Sequence, residues 1–79
     1  MKILIIEDSE VISKRLEESL MEINGVETVI VAEDGLQAVS EFDKTNPDLV
    51  ILDLMIPRMS GLDVLRNIRL KNDNVPVII

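Results

Sequence analysis

The chain contains no cysteine, no histidine, no tryptophan and no tyrosine, and its one phenylalanine is Phe42. Without cysteine there is no disulfide framework and no thiolate metal site. Without histidine there is no imidazole zinc site, no Ser-His-Asp triad and no histidine general base. The scarcity of aromatics removes the stacking platforms on which single-stranded nucleic acids rest. The three glycines, Gly25, Gly35 and Gly61, are too scattered for a dinucleotide fingerprint or a P-loop, and no Gly-Lys-Ser/Thr occurs. Long apolar runs are missing too. The stretch Ile3-Leu4-Ile5-Ile6 is cut off by Glu7-Asp8, too early for a signal peptide or a membrane span. The default location is therefore the cytoplasm.

What is present is globular. Of 79 residues, 47% are hydrophobic and 29% charged, a composition outside the disordered and low-complexity classes. The length allows one domain, and a chain this short buries only roughly 60–65% of its unfolded surface. Eight basic residues stand against 15 acidic ones, for a formal net charge of −7. That balance repels nucleic-acid backbones and anionic membranes. It favours metal cations or a basic partner.

Apolar runs alternate with amphipathic stretches. Residues 3–6 read as a strand buried on both faces. Residues 9 to about 23 carry Ile12, Leu16, Leu20 and Ile23 as one helical stripe, closed by Asn24-Gly25 with a left-handed glycine cap. Residues 27–32 read as a second strand. Asp34-Gly35-Leu36-Gln37 opens a second helix in the manner of a capping box, with Leu36, Val39 and Phe42 inward, ending near Asn46-Pro47. Residues 49–52 form a third buried strand, followed by Asp53 and a loop over 54–60. Ser60 starts a third helix with Leu62, Leu65 and Ile68 inward. A turn at 71–74 leads to a fourth strand over 75–79, with Pro76 near its start.

The β-α-β-α-β-α-β order implies a parallel α/β sheet. If strand 1 connects outward to strand 2, and strand 2 returns past it to strand 3, the order is 2-1-3-4, and right-handed crossovers put helix 1 on one face and helices 2 and 3 on the other. Strands 1 and 3 then meet at the topological switch point. Ligands bind outside the carboxyl ends of the strands there.

Glu7, Asp8 and Asp53 fall at that crevice. Three adjacent carboxylates repel one another, and a divalent cation relieves the repulsion. Mg²⁺ suits an all-oxygen set, whereas nothing here offers the soft donors that favour zinc or copper. With the charge neutralised, a carboxylate can attack phosphorus to give an aspartyl phosphate. Asp8 is open to two readings, since either Asp8 or Ser9 can cap the first helix. Asp53 has no capping job, because apolar residues rather than a helix follow it. Glu33-Asp34 reads as a helix cap plus a solvated charge. Met21, Met55 and Met59 read as packing residues, and the basic residues between Arg66 and Lys71 as a solvated face.

In ordered combination, Ile3-Leu4-Ile5-Ile6-Glu7-Asp8-Ser9, Ala32-Glu33-Asp34-Gly35-Leu36-Gln37-Ala38, Pro47-Asp48-Leu49-Val50-Ile51-Leu52-Asp53-Leu54-Met55-Ile56-Pro57 and Ser60-Gly61-Leu62 form a specific pattern. The chain resembles, over its whole length, the N-terminal two-thirds of a response-regulator receiver domain, the CheY-like module of two-component signalling. The resemblance implies a flavodoxin-like parallel sheet. It implies Asp53 as phosphoryl acceptor from a histidine kinase or phosphotransfer protein. Mg²⁺ would be held by Glu7 and Asp8, directly or through water, with Asp53 and the backbone carbonyl of Met55. Pro57 and Gly61 would shape the loop behind the site. The module would be a signalling domain, not an enzyme.

The family also has a Thr or Ser after strand 4 and a Lys ending strand 5. Residues 1–79 contain neither, nor a fourth helix, fifth strand and fifth helix. The expectation is a receiver fragment with impaired phosphoryl acceptance. Strands 3 and 4 would be bare on the helix 1 face, and strand 4 would be an open edge. A homo-oligomer is expected through these surfaces. The alternative function is that of a cut half-domain whose main property is self-assembly. A hydrolase with an aspartate nucleophile would need further catalytic groups and a substrate pocket.

Overall fold

Seven elements alternate along the chain in the computed structural model, which describes all 79 residues. They are β1 (Lys2–Ile6), α1 (Glu10–Met21), β2 (Thr28–Ala32), α2 (Gly35–Thr45), β3 (Leu49–Leu52), α3 (Gly61–Lys71) and β4 (Val77–Ile78). Every strand pair is parallel and the sheet order is β2-β1-β3-β4, the order expected from the sequence. Ile6 sits opposite Ala32 on one side and Leu52 on the other, so three strands end level.

The core lies between the sheet and helices α2 and α3. Leu4, Ile6, Ala32, Val50 and Leu52 meet Ala38 and Phe42 of α2, Val64 and Ile68 of α3, and Val75. The alternate residues Ile3 and Ile5 point to the other face, where their partners Val29 and Val31 line a groove with Ser13, Lys14 and Glu17 of α1. Ile3 to Ile6 are all buried, which explains the unbroken apolar run. The α1 face is covered over β1 and opens over β3 and β4. Leu49 and Ile51 are half-buried there, and Ile78 is 54% exposed.

Each helix begins on a side-chain cap. Ser9 Oγ accepts from the Ile12 N–H at 3.3 Å, Asp34 Oδ1 from the Gln37 N–H at 2.8 Å, and Ser60 Oγ from the Asp63 N–H at 3.2 Å. The Gln37 side chain reaches back to the Glu33 N–H at 2.9 Å.

The helix faces differ from the stripes read in the sequence. Leu36 and Leu62 are about half exposed, at 48% and 51%, and Ile12 and Ile23 are also exposed. The buried positions are Gly35, Ala38 and Phe42 in α2, and Gly61, Val64 and Ile68 in α3, so Phe42 and Ile68 face inward as expected. Both sets are spaced i, i+3, i+7 from a glycine at the first helical position. That glycine packs closely against the loop before α3, and the leucine after it lies away from the core. In α1 the same spacing runs through Ser13, buried, then Leu16 and Leu20, half-buried.

Two ends also differ. Helix α1 stops at Met21 with a right-handed cap at Glu22, and the positive φ of Gly25 (95°) belongs to the turn beyond. Strand β4 is confined to Val77–Ile78. Pro76 has no N–H for the ladder, but its carbonyl accepts from the Val50 N–H at 3.0 Å. Arg69 is not a solvated charge. Its Nη1 donates to the Val75 carbonyl at 2.6 Å, tying α3 to the start of β4.

No helix is long and apolar enough to cross a membrane.

Candidate functional site

The backbone ladder continues one residue past β1 and β3. The Asp53 N–H donates to the Ile6 carbonyl at 3.0 Å, and the Glu7 N–H to the Ala32 carbonyl at 3.0 Å. Glu7 and Asp53 therefore leave the sheet side by side at the switch point. Carboxylate oxygens of Glu7, Asp8 and Asp53 lie within 4.8 Å of one another. Glu7 and Asp53 are half-buried and Asp8 is exposed.

Backbone hydrogen bonds orient two of the three. Glu7 Oε2 accepts from the Ser9 N–H at 3.0 Å, and Asp53 Oδ1 from the Met55 N–H at 2.9 Å. Ser9 caps α1, so the Asp8 carboxylate has no capping role. None of the chain's four ion pairs involves these residues. Burial pushes the Glu7 carboxyl above its ordinary range, and the Asp53 charge with hydrogen bonds to Asp8 and Asp53 adds to the rise. The Ser9 N–H acts the other way. The donor set is all oxygen, with excess negative charge and no cationic side chain paired to it. It fits a hard divalent cation. Glu33 is exposed and outside the cluster, and Asp34 caps α2, as read from the sequence.

The loop from Leu54 to Ser60 is pinned at two points. The Gly61 N–H donates to the Leu54 carbonyl at 3.2 Å, and the Gly35 N–H to the Pro57 carbonyl at 3.1 Å. A Cβ at position 61 would overlap Leu54 Cα and stand 2.8 Å from its carbonyl oxygen. Gly61 is thus required by close approach, not by an unusual backbone angle. The left-handed residue of the loop is Arg58, at φ 76°. Met55, between the two pins, has an 84% exposed side chain. The sequence reading missed Gly35 as a loop contact. Its one signal was a poor helix former placed at the first position of a helix.

A doubly wound parallel sheet with an acidic crevice at its switch point defines the class as a flavodoxin-like domain of the CheY type. The chain belongs to the response regulator receiver domain family, whose model matches residues 3–79. It is a signalling module of two-component systems. Among its relatives is the response regulator MprA of Mycobacterium sp. (strain KMS), 36% identical over 78 residues, which are 99% of this chain and 33% of MprA. Another is a protein-glutamate methylesterase/protein-glutamine glutaminase of Trichodesmium erythraeum, 38% identical over 98% of this chain and 22% of that protein. The chain thus spans about a third or less of the length of these curated relatives. Among solved structures, the response regulator TrrA of Thermotoga maritima, in complex with Mg²⁺-BeF, superposes with a TM-score of 0.89 at 40% identity. The match covers 99% of this chain and 66% of TrrA.

Proposed function

We propose that this chain is a phosphoacceptor, taking a phosphoryl group from a histidine kinase or phosphotransfer protein onto Asp53. The observation that carries the reading is the convergence of Glu7, Asp8 and Asp53 with no cationic partner. One Asp53 oxygen is engaged by the Met55 N–H, which leaves Oδ2 as the attacking atom. The new bond joins that oxygen to phosphorus. The bond from phosphorus to the donor imidazole nitrogen breaks, and its electron pair leaves with the imidazole. Glu7, Asp8, Asp53 and the Met55 carbonyl would hold Mg²⁺, which offsets the charge of the carboxylates and phosphoryl oxygens when bound. Pro57 and Gly61 shape the loop that carries Met55. We read the 79 residues as a signalling domain rather than as a catalyst, acting in the cytoplasm without contacting nucleic acid.

Incubation with acetyl phosphate and Mg²⁺, followed by mass spectrometry, tests this reading. One added phosphoryl group is expected, with acetate released, and none in Asp53→Asn. A full adduct on that variant overturns the assignment.

A second reading is favoured by one feature, the outer edge of β4 beside the exposed Ile78. An unpaired parallel edge with branched aliphatics is a template for a second copy. Light scattering on an eluting peak tests homo-oligomer formation. A discrete oligomer that Ile78→Lys dissociates supports it, and a monomer at all concentrations rejects it.

A further inference from the structure

We propose that Gly35 is a positioning residue for the carboxylate site, holding the β3–α3 loop in the shape that presents Met55 and Asp53. The inference rests on the phosphoacceptor reading above. Helix α2 begins against this loop. The Gly35 N–H, one of the donors that a helix start leaves without an intrahelical partner, donates to the Pro57 carbonyl at 3.1 Å. Gly35 is buried, and a Cβ there would overlap Met59 Cβ and stand 2.8 Å from the Met59 carbonyl oxygen. The neighbours on that side are therefore partly backbone, which yields less readily than a flexible side-chain end.

Neither partner is free to move aside. Helix α2 is fixed in depth by Ala38 and Phe42, both buried in the main core. Its cap is independent of the loop, since Asp34 holds the Gln37 N–H and Gln37 holds the Glu33 N–H. The loop is pinned at Leu54 by Gly61. Between the two Gly35 contacts, at Pro57 and Met59, the chain kinks through the left-handed Arg58. A side chain at position 35 must therefore push on residues 57–59. The segment that absorbs the push runs back to Met55, whose N–H holds Asp53 Oδ1.

The test is a Mg²⁺ titration of the 79-residue chain followed by amide NMR, on the native sequence, Gly35→Ala and Gly35→Ala/Met59→Gly. In the native chain the amides of Glu7, Asp8, Asp53 and Met55 are expected to shift, and the Gly35 amide to shift on the same saturation curve. Outer residues that orient metal ligands change affinity by about 10–100-fold, so Gly35→Ala is expected to weaken Mg²⁺ by about tenfold. Its Gln37 amide should be undisturbed. Removing the Met59 Cβ in the double variant should recover part of the affinity. A glycine with only a structural role would lower the melting temperature and leave the affinity of the folded protein unchanged. That result overturns the proposal. So does a Gly35 amide that stays still while Asp53 responds, a readout that needs no variant and decides the matter if Gly35→Ala does not fold. Silence at Glu7, Asp8 and Asp53 overturns the phosphoacceptor reading as well, so the two failures are distinguishable.

Discussion

Glu7 and Asp53 are held in the same way at the ends of neighbouring strands: each carboxylate accepts from the N–H two residues further on, Ser9 at 3.0 Å and Met55 at 2.9 Å. Each keeps its second oxygen clear of those bonds. With Asp8 beside them, the pair concentrates negative charge that the protein itself does not neutralise. Such a concentration of like charge costs stability unless a cation offsets it.

The first consequence is a pH dependence. Burial, with the nearby Asp53, raises the Glu7 carboxyl above its ordinary value of 4.5. The folded chain then keeps this proton to higher pH than the unfolded chain does. The Glu7 contribution to stability is full below 4.5 and is lost as pH rises through the elevated value. Urea midpoints of the metal-free chain are expected to fall over that window, and Glu7→Gln should flatten the fall.

Asp8 and Ser9 separate by role. Ser9→Ala removes the α1 cap and should cost about 1 kcal/mol. Asp8→Asn touches no cap and should change metal-free stability by less than about 0.5 kcal/mol. Mg²⁺ at on the order of 100 times its dissociation constant should stabilise the native chain by about 2.7 kcal/mol. Asp8→Asn should lose most of that gain while Ser9→Ala keeps it, as read by thermal melts with and without Mg²⁺.

Arg58 sits at φ 76° and makes no side-chain hydrogen bond or ion pair. The left-handed conformation costs an L-residue roughly 1–2 kcal/mol, part of which glycine returns as unfolded-state entropy. Arg58→Gly is expected to raise stability by up to about 1 kcal/mol in equilibrium unfolding.

Gly61→Ala should do the reverse. The added Cβ meets Leu54 backbone, which is bonded to Gly61 itself and has no room to retreat. Overpacking of this kind costs about 1–3 kcal/mol. A drop in melting temperature checks it.

The rotation of α3 is also testable. Val64 is fully buried and Leu62 is 51% exposed. Val64→Ala should cost about 2 kcal/mol and Leu62→Ala less than about 0.5 kcal/mol. Equal costs would mean the helix is turned differently.

The sequence by itself determined the order of the elements, the sheet 2-1-3-4 and the acidic crevice. Continuous apolar runs, capping residues and crossover handedness act within a strand, a helical turn or one βαβ unit, so a single chain displays them. Asp53 was legible because an apolar run ended on it with no helix to cap. Only the tertiary structure decided which side of each helix faces inward, whether Asp8 or Ser9 is the cap, and why Gly35 and Gly61 are glycines. Each of those answers depends on contacts between segments apart in sequence. Gly35 meets Met59, and Gly61 meets Leu54, at distances a Cβ would violate. Such close approach leaves no periodic trace in the sequence, because it is a property of two backbones brought together and not of either one alone.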